Sequence, residues 1–200
     1  MTLKLGIILG TIRHQSIGGK LFAYLQAAFP DHDDVRFDWI DLHDFPLPLY
    51  DHAETPADSP VQNLVFGESA WLAALAAQDG YVIISPEYDH AMTGALKNAL
   101  DYVGQEISRK PLQIVTYSHD ETGGIMAAES MVNVLRMLDA LVLPKPVLLA
   151  GCDRNFLPDG RLDATVPTSA AYAKRLAVAF HELEFYARLS HDHPYRPLNA

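Results

Sequence analysis

Residues 81–84, Tyr81-Val82-Ile83-Ile84, carry no charged side chain and show no polar/apolar alternation. A strand with one solvated face alternates, whereas a run that is apolar at every position suits a parallel strand covered on both sides. Patterns on either side agree. Leu3 to Leu9 is a compact, mainly apolar run ended by Gly10, and Ser16 to Phe29 follows with Ile17, Leu21, Phe22, Leu25 and Phe29 at helical spacing. Val35 to Ile40 alternates, with Val35, Phe37 and Trp39 opposite Arg36 and Asp38, until Ile40 breaks the pattern; it reads as a strand. Val61 to Ala77 carries the stripe Val61, Leu64, Val65, Trp71, Leu72 and Leu75, which predicts a helix.

Beyond residue 84 the cycle repeats. Ala95 to Gly104 reads as helix, Leu112 to Tyr117 as strand, and Ile125 to Leu138 as helix, with Met126, Val134, Leu135 and Leu138 among its apolar positions. Leu141-Val142-Leu143 opens a last strand, and because Pro144 and Pro146 withhold two backbone donors it must end, bulge or lie at an edge there. Ser169 to Leu189 carries Tyr172, Leu176, Ala179, Phe180, Leu183 and Tyr186 at helical spacing. Five strands alternating with five helices imply right-handed crossovers and an α/β doubly wound sheet. One domain is expected over residues 1–189, with a loose tail at 190–200. The proline-rich stretch from Asp44 to Pro60 is a long loop of the kind that is more often functional than idle.

Composition excludes several classes. Fifteen Lys and Arg against twenty-five Asp and Glu leave a net charge of −10 on 200 residues, which disfavours nucleic acid as a partner. The single cysteine, Cys152, forbids an intrachain disulfide, a CxxC pair and a four-thiolate zinc site, and fits a cytoplasmic setting. Leu5 to Leu9 is far short of the roughly 20 residues of a membrane span, so neither membrane insertion nor secretion is expected. His191 and His193 in the tail are expected to be solvated rather than metal ligands.

In such a sheet ligands bind beyond the carboxyl ends of the strands. The loop after the first strand, Gly10-Thr11-Ile12-Arg13-His14-Gln15-Ser16-Ile17-Gly18-Gly19, sets two hydroxyls and an arginine before a helix N-terminus, a combination that suits a phosphate. Its glycine spacing matches neither GxGxxG nor a Walker A sequence, and no cysteine nucleophile stands here. Thr11 and Ser16 as helix caps, with Arg13 paired at the surface, would account for it equally. The loop Pro86-Glu87-Tyr88-Asp89-His90-Ala91-Met92-Thr93-Gly94 offers a rigid proline, an aromatic ring and successive backbone donors, enough to hold a flat heterocycle by face and edge. Tyr88 as a plain loop aromatic, Thr93 as a cap and Lys97 with Asp101 as a surface pair is the simpler alternative. Ser118 to Gly124 ends in Gly123-Gly124, where backbone can approach a ligand or simply turn.

Together these motifs resemble the NADPH-dependent FMN reductase family. Gly10-Thr-Ile-Arg-His-Gln-Ser16 is similar to that family's GSxRxxS loop, and Pro86-Glu-Tyr-Asp with Gly94-Ala-Leu-Lys-Asn-Ala-Leu-Asp101 is similar to its PEYN…GxLKNAIDW signature. Asp44-Phe-Pro-Leu-Pro-Leu-Tyr-Asp51 and Gly123-Gly124 extend the likeness over most of residues 3–145. The resemblance implies a flavodoxin-like, three-layered five-stranded parallel sheet of order 2-1-3-4-5 with non-covalent FMN. It places Thr11, Arg13, Ser16, Ile17 and Gly18 at the FMN phosphate, Pro86, Glu87, Tyr88 and Asp89 along the ring, and Ser118 and Gly123 at its other edge. It further implies a homodimer or homotetramer with the helix from Gly94 at the interface, where Lys97, Asn98 and Asp101 are structural.

The expected activity is an NAD(P)H oxidoreductase. Hydride passes from the nicotinamide to flavin N5, then to an acceptor such as a quinone, azo compound, metal oxyanion or flavin, so no catalytic acid, base or metal is sought in the chain. A non-enzymatic FMN-binding electron carrier or redox-responsive module is the alternative. Two departures stand out: Thr11 for the family serine keeps the hydroxyl, whereas Asp89 for the family asparagine puts a carboxylate beside the flavin.

Overall fold

Leu5 of strand β1 (Leu3–Leu9) pairs in parallel with Phe37 of β2 (Val35–Asp41) on one side and Gly80 of β3 (Gly80–Pro86) on the other. The computed structural model describes residues 2–196 and 198. β3 is buried at all seven positions and β4 (Pro111–Ser118) at all but the last, as expected for the middle of the sheet. β2 alternates buried and exposed residues from Val35 to Asp38 and forms one edge. The order is β2-β1-β3-β4-β5, all parallel.

The far edge corrects the expected strand count from five to six. β5 (Leu141–Val142) and β6 (Val147–Ala150) both pair with β4, Val142 opposite Leu112 and Val147 opposite Val115. Three residues along β4 are thus matched by five along the outer edge, and the surplus is taken up by Pro144, Lys145 (φ 59°) and Pro146. The missing proline donors end the strand and an edge position lets it restart.

Helices cover both faces. Leu3, Leu5, Ile7 and Leu9 of β1 point, with Val82, Ile84 and Val115, into a core closed by α1 (Ile17–Ala28) and α5 (Ser169–Asp192). Ile8, Tyr81, Ile83, Leu112 and Ile114 point the opposite way, against α2 (Phe66–Ala76), α3 (Gly94–Asp101) and α4 (Ile125–Met137). Three layers follow directly from the period-two geometry of strands buried on both sides.

Three helix limits depart from the periodicity. α2 starts at Phe66 rather than Val61, because Glu68 Oε2 accepts from the Val65 N–H at 2.9 Å and closes the first turn there. α3 spans 94–101 rather than 95–104. α5 continues past Leu189 to Asp192, and His191 Nδ1 lies 3.0 Å from Asp79 Oδ1. Of the tail expected at 190–200, residues 197, 199 and 200 lie outside the described residues, as does residue 1 of the expected domain. Among the described residues no helix is long and apolar enough to cross a membrane.

The long loop after β2 is pinned rather than free. Asn98 of α3 donates through Nδ2 to the Pro48 carbonyl (2.8 Å) and accepts from the Tyr50 N–H (2.9 Å), while the Tyr102 hydroxyl donates to Pro48 as well (2.9 Å). Asn98 therefore ties the loop to α3 within the chain, and Lys97 forms the exposed pair with Asp101 at 2.6 Å.

Candidate active site

The loops after β1, β3 and β4 meet at the carboxyl edge of the sheet, beside the point where the chain reverses its direction of winding. Strand-to-strand contact sets their spacing. The Gly10 N–H donates to the Ile84 carbonyl at 2.7 Å, and a β-carbon at Gly10 would stand 2.8 Å from that oxygen, so only glycine fits. Thr93 caps α3 by accepting from the Leu96 N–H (3.0 Å) and donates its hydroxyl proton to the Gly10 carbonyl (2.7 Å), locking the second loop to the first.

Between the loops lies a cavity of about 550 Å³. Of the residues singled out from sequence, Arg13, Ser16, Ile17, Pro86, Glu87, Tyr88, Asp89 and Ser118 line it. Three others stand behind the wall. Thr11 is buried and accepts from the Arg13 N–H at 3.3 Å. Gly18 sits where a β-carbon would collide with the Tyr117 hydroxyl, to which its own N–H donates. Gly123 (φ 66°) turns against β6, where a β-carbon would stand 2.9 Å from Leu148, and its carbonyl accepts from Thr116 Oγ1.

Several side chains on the cavity wall are already engaged. Ser16 caps α1 by accepting from the Gly19 N–H at 3.0 Å, which leaves its hydroxyl proton free to donate. The Glu87 carboxylate accepts from the N–H groups of Met126 (2.9 Å) and Ala127 (3.1 Å) and lies 3.2 Å from His90 Nδ1. Ser118 Oγ donates to Asp120 Oδ1 at 2.6 Å, and Thr122 adds its N–H and hydroxyl to the same oxygen. These bonds hold the Asp120 carboxyl down at about 2. Arg13, by contrast, has no carboxylate partner among the described residues.

The second loop is a two-residue turn closed by reciprocal bonds of 2.9 Å between Tyr88 and Ala91, with Asp89 (φ 49°) and His90 (φ 63°) both left-handed. Its ring-bearing residue, Tyr88, is 39% exposed at the cavity mouth. Tyr117 also lines the cavity and was missed from sequence, where it looked like one more core position of a buried strand. Its place as the penultimate residue of β4, at the ligand-bearing edge, was the available signal. Burial pushes its phenol well above the usual range, so it stays protonated.

Residues 3–154 match the family model described as NADPH-dependent FMN reductase. The chain belongs to the NADPH-dependent FMN reductase family. It is 33% identical over 161 residues to an NAD(P)H-dependent FMN reductase of Nectria sp, covering 75% of this chain and 78% of the relative. It is 32% identical over 161 residues to a quinone reductase of Escherichia coli K12, covering 76% and 80%. The structure of an NAD(P)H:(acceptor) oxidoreductase from Paracoccus denitrificans superposes with a TM-score of 0.71 at 20% identity, over 92% of this chain and 99% of that one, and shows the shared flavodoxin-like fold.

The cavity of this FMN reductase family member suits that cofactor by its chemistry. Arg13 brings a positive charge without an acidic partner, Ser16 a free hydroxyl proton, and Pro86 and Tyr88 flat apolar surface. The carboxylates of Glu87 and Asp120 are satisfied by donors of their own, which reduces the repulsion a phosphate would meet.

Proposed function

We propose that the 550 Å³ cavity holds FMN and that the chain acts there as an FMN-dependent NAD(P)H oxidoreductase. The observation that carries the reading is the convergence of Arg13, without a carboxylate partner among the described residues, the α1 N-terminus and Tyr88 on one cavity at the switch point of the sheet. Arg13, Ser16 and the backbone at Ile17 hold the phosphate, with Thr11 and Gly18 shaping that loop from behind. Pro86, Tyr88 and Asp89 line the ring, Glu87 fixes their loop, and Ser118 with Gly123 shapes the opposite edge. Bound FMN supplies the hydride chemistry between NAD(P)H and an acceptor. The protein binds, orients and keeps water from the ring; no side chain has to exchange a proton.

A quinone is the acceptor class this reading favours, in line with the quinone reductase relative, and azo compounds, metal oxyanions and free flavin fall in the same two-electron class. The assembly we assign is a homodimer or homotetramer, supported by Leu49 (82% exposed) and Ile12 (54%), which lie beside the start of α3 where a second copy would cover them. A cytoplasmic location is supported by Cys152, a lone, fully buried thiol that burial pushes up to about 12.

The test is a visible spectrum of the purified protein with added FMN, then anaerobic NADPH and NADH in turn. Retained colour bleached by either nucleotide is the expected result. Bound flavin that neither nucleotide reduces would make the protein a carrier, and no bound flavin would overturn the cofactor assignment.

A further inference from the structure

Two histidines, His90 and His119, line the 550 Å³ cavity, and the proposed binding of FMN uses neither. They are held differently. His119 Nδ1 lies 3.5 Å from Asp153 Oδ1, and 41% of that aspartate side chain is open to solvent. His90 Nδ1 lies 3.2 Å from Glu87 Oε1, whose side chain is only 7% exposed. Glu87 is itself fixed, since its other oxygen accepts the Met126 and Ala127 N–H groups. A carboxylate anchored at Nδ1 holds the ring hydrogen on that nitrogen and leaves Nε2 as the one that exchanges protons.

The backbone adds a second observation. His90 is the second central residue of the Tyr88–Ala91 turn, at φ 63°, a position whose chemistry asks for glycine. A side chain kept in left-handed backbone on the wall of a ligand cavity is strain of the kind that gathers at functional sites.

The proposed reaction has a use for such a group. A quinone becomes a hydroquinone by gaining two electrons and two protons, and a hydride carries both electrons but only one proton. The balance is NAD(P)H + H⁺ + quinone → NAD(P)⁺ + hydroquinone. Hydride transfer asks no proton of the chain, whereas the acceptor takes one more from its surroundings.

We propose that His90 is the general acid for the acceptor, with Glu87 as its positioning residue. This rests on the proposed reductase function and its quinone acceptor. The Nε2–H bond of the imidazolium breaks and its electron pair stays on the ring as the Nε2 lone pair. The proton forms an O–H bond on the quinone oxygen that the hydride leaves negative. Water then returns a proton to the ring, whose side chain is 79% exposed at the cavity mouth. Arg13, Asp89, His119 and Asp120 are the other charged or titratable groups that share this wall with the pair and with Tyr88 and Tyr117.

The choice of acceptor tests this, because ferricyanide takes an electron and no proton. The protein is first reduced with nucleotide, and its reoxidation by benzoquinone or by ferricyanide is followed by stopped flow. His90→Asn, which suits left-handed backbone, should slow the quinone step at least about tenfold and the ferricyanide step less than about twofold. His119→Asn should change neither. Equal losses with both acceptors would reduce His90 to a structural residue of its loop, and a quinone-specific loss in His119→Asn alone would move the role to that residue; either result overturns the proposal.

A readout without flavin is the nitrogen NMR spectrum of the histidine rings in the FMN-free protein, with the His90 signals assigned by their absence from His90→Asn. The neutral ring should carry its proton on Nδ1, and a proton on Nε2 instead would overturn the assignment. FMN that does not bind, or that neither nucleotide bleaches, shows before any acceptor is added and removes the reductase reading together with this one. A bleachable flavin with an unchanged quinone step in His90→Asn removes this one alone.

Discussion

Glu87 reaches from the loop after β3 to the first turn of α4, where its Oε2 accepts the Met126 N–H at 2.9 Å. The Ala127 N–H at 3.1 Å shares the same oxygen, so a residue on the cavity wall also caps a helix 39 positions away. Both free N–H groups and the helix dipole favour a carboxylate there. Met92 N–H, which donates to Ser130 Oγ at 3.0 Å, fixes the same loop to α4 a second time.

Glu87→Ala is therefore expected to cost about 1–2 kcal/mol of stability, the range for a lost cap and dipole partner. FMN affinity should weaken as the Pro86–Asp89 loop loosens. Glu87→Gln, which keeps an accepting oxygen, should recover part of both. Urea denaturation and flavin fluorescence titration separate the two effects. A fully stable Glu87→Ala variant would show that the cap contributes nothing.

Asp89 and His90 occupy the two central positions of the Tyr88–Ala91 turn with φ of 49° and 63°. A turn of this kind favours Asn or Asp first and Gly second, and histidine second is strained. His90→Gly is expected to stabilise the protein by about 0.5 kcal/mol or more in thermal melts. Asp89→Asn keeps the turn and removes a negative charge from the cavity wall, so the midpoint potential of bound FMN should rise, by on the order of 10–20 mV for an exposed charge. An unchanged potential would mean that Asp89 faces away from the flavin.

The positions of these loops were legible because parallel strands leave their ligand loops at one edge, so Leu3–Leu9, Tyr81–Ile84 and Leu112–Tyr117 sufficed to locate Arg13, Tyr88 and Ser118. Side-chain direction was not. Glu87 points at α4 because two N–H groups far along the chain need an acceptor, a tertiary fact with no local trace. The engagement of Ser118 by Asp120 did have one, in the Ser-x-Asp-x-Thr spacing that closes a local turn. Pro144 and Pro146 announced a broken edge strand, but its renewal at Val147 depends on free pairing groups offered by Val115 to Ser118 of β4.

Gly18 and Tyr117 form a close contact between α1 and β4. A β-carbon at residue 18 would overlap the Tyr117 hydroxyl, which also accepts the Gly18 N–H. Gly18→Ala should cost about 1–3 kcal/mol, the usual penalty of overpacking. Tyr117→Phe removes the obstructing oxygen, so the double variant Gly18→Ala/Tyr117→Phe should be more stable than Gly18→Ala alone. Additive losses in a denaturant-based double-mutant cycle would show that the two residues act independently.

Glu68 is buried (2% exposed) under the loop after β2, with His52 Nε2 at 3.2 Å, the Tyr102 hydroxyl at 3.1 Å and the Val65 N–H at 2.9 Å around its carboxylate. Burial pushes its pKa up, yet the bonds from Val65, His52 and Tyr102 outweigh that and leave it below the ordinary value. A carboxyl depressed in the folded state stabilises the protein above the unfolded pKa, about 4.3 for glutamate, and loses that contribution as pH falls through the lower folded value. Wild-type stability should thus decline below about pH 4.3 partly through this residue. Glu68→Gln should be about 1–3 kcal/mol less stable at pH 7, since the charged acceptor of a buried network is lost, and should show a shallower decline with acid. Parallel acid slopes for the two proteins in urea titrations between pH 3 and 7 would mean that Glu68 holds the loop without its charge mattering.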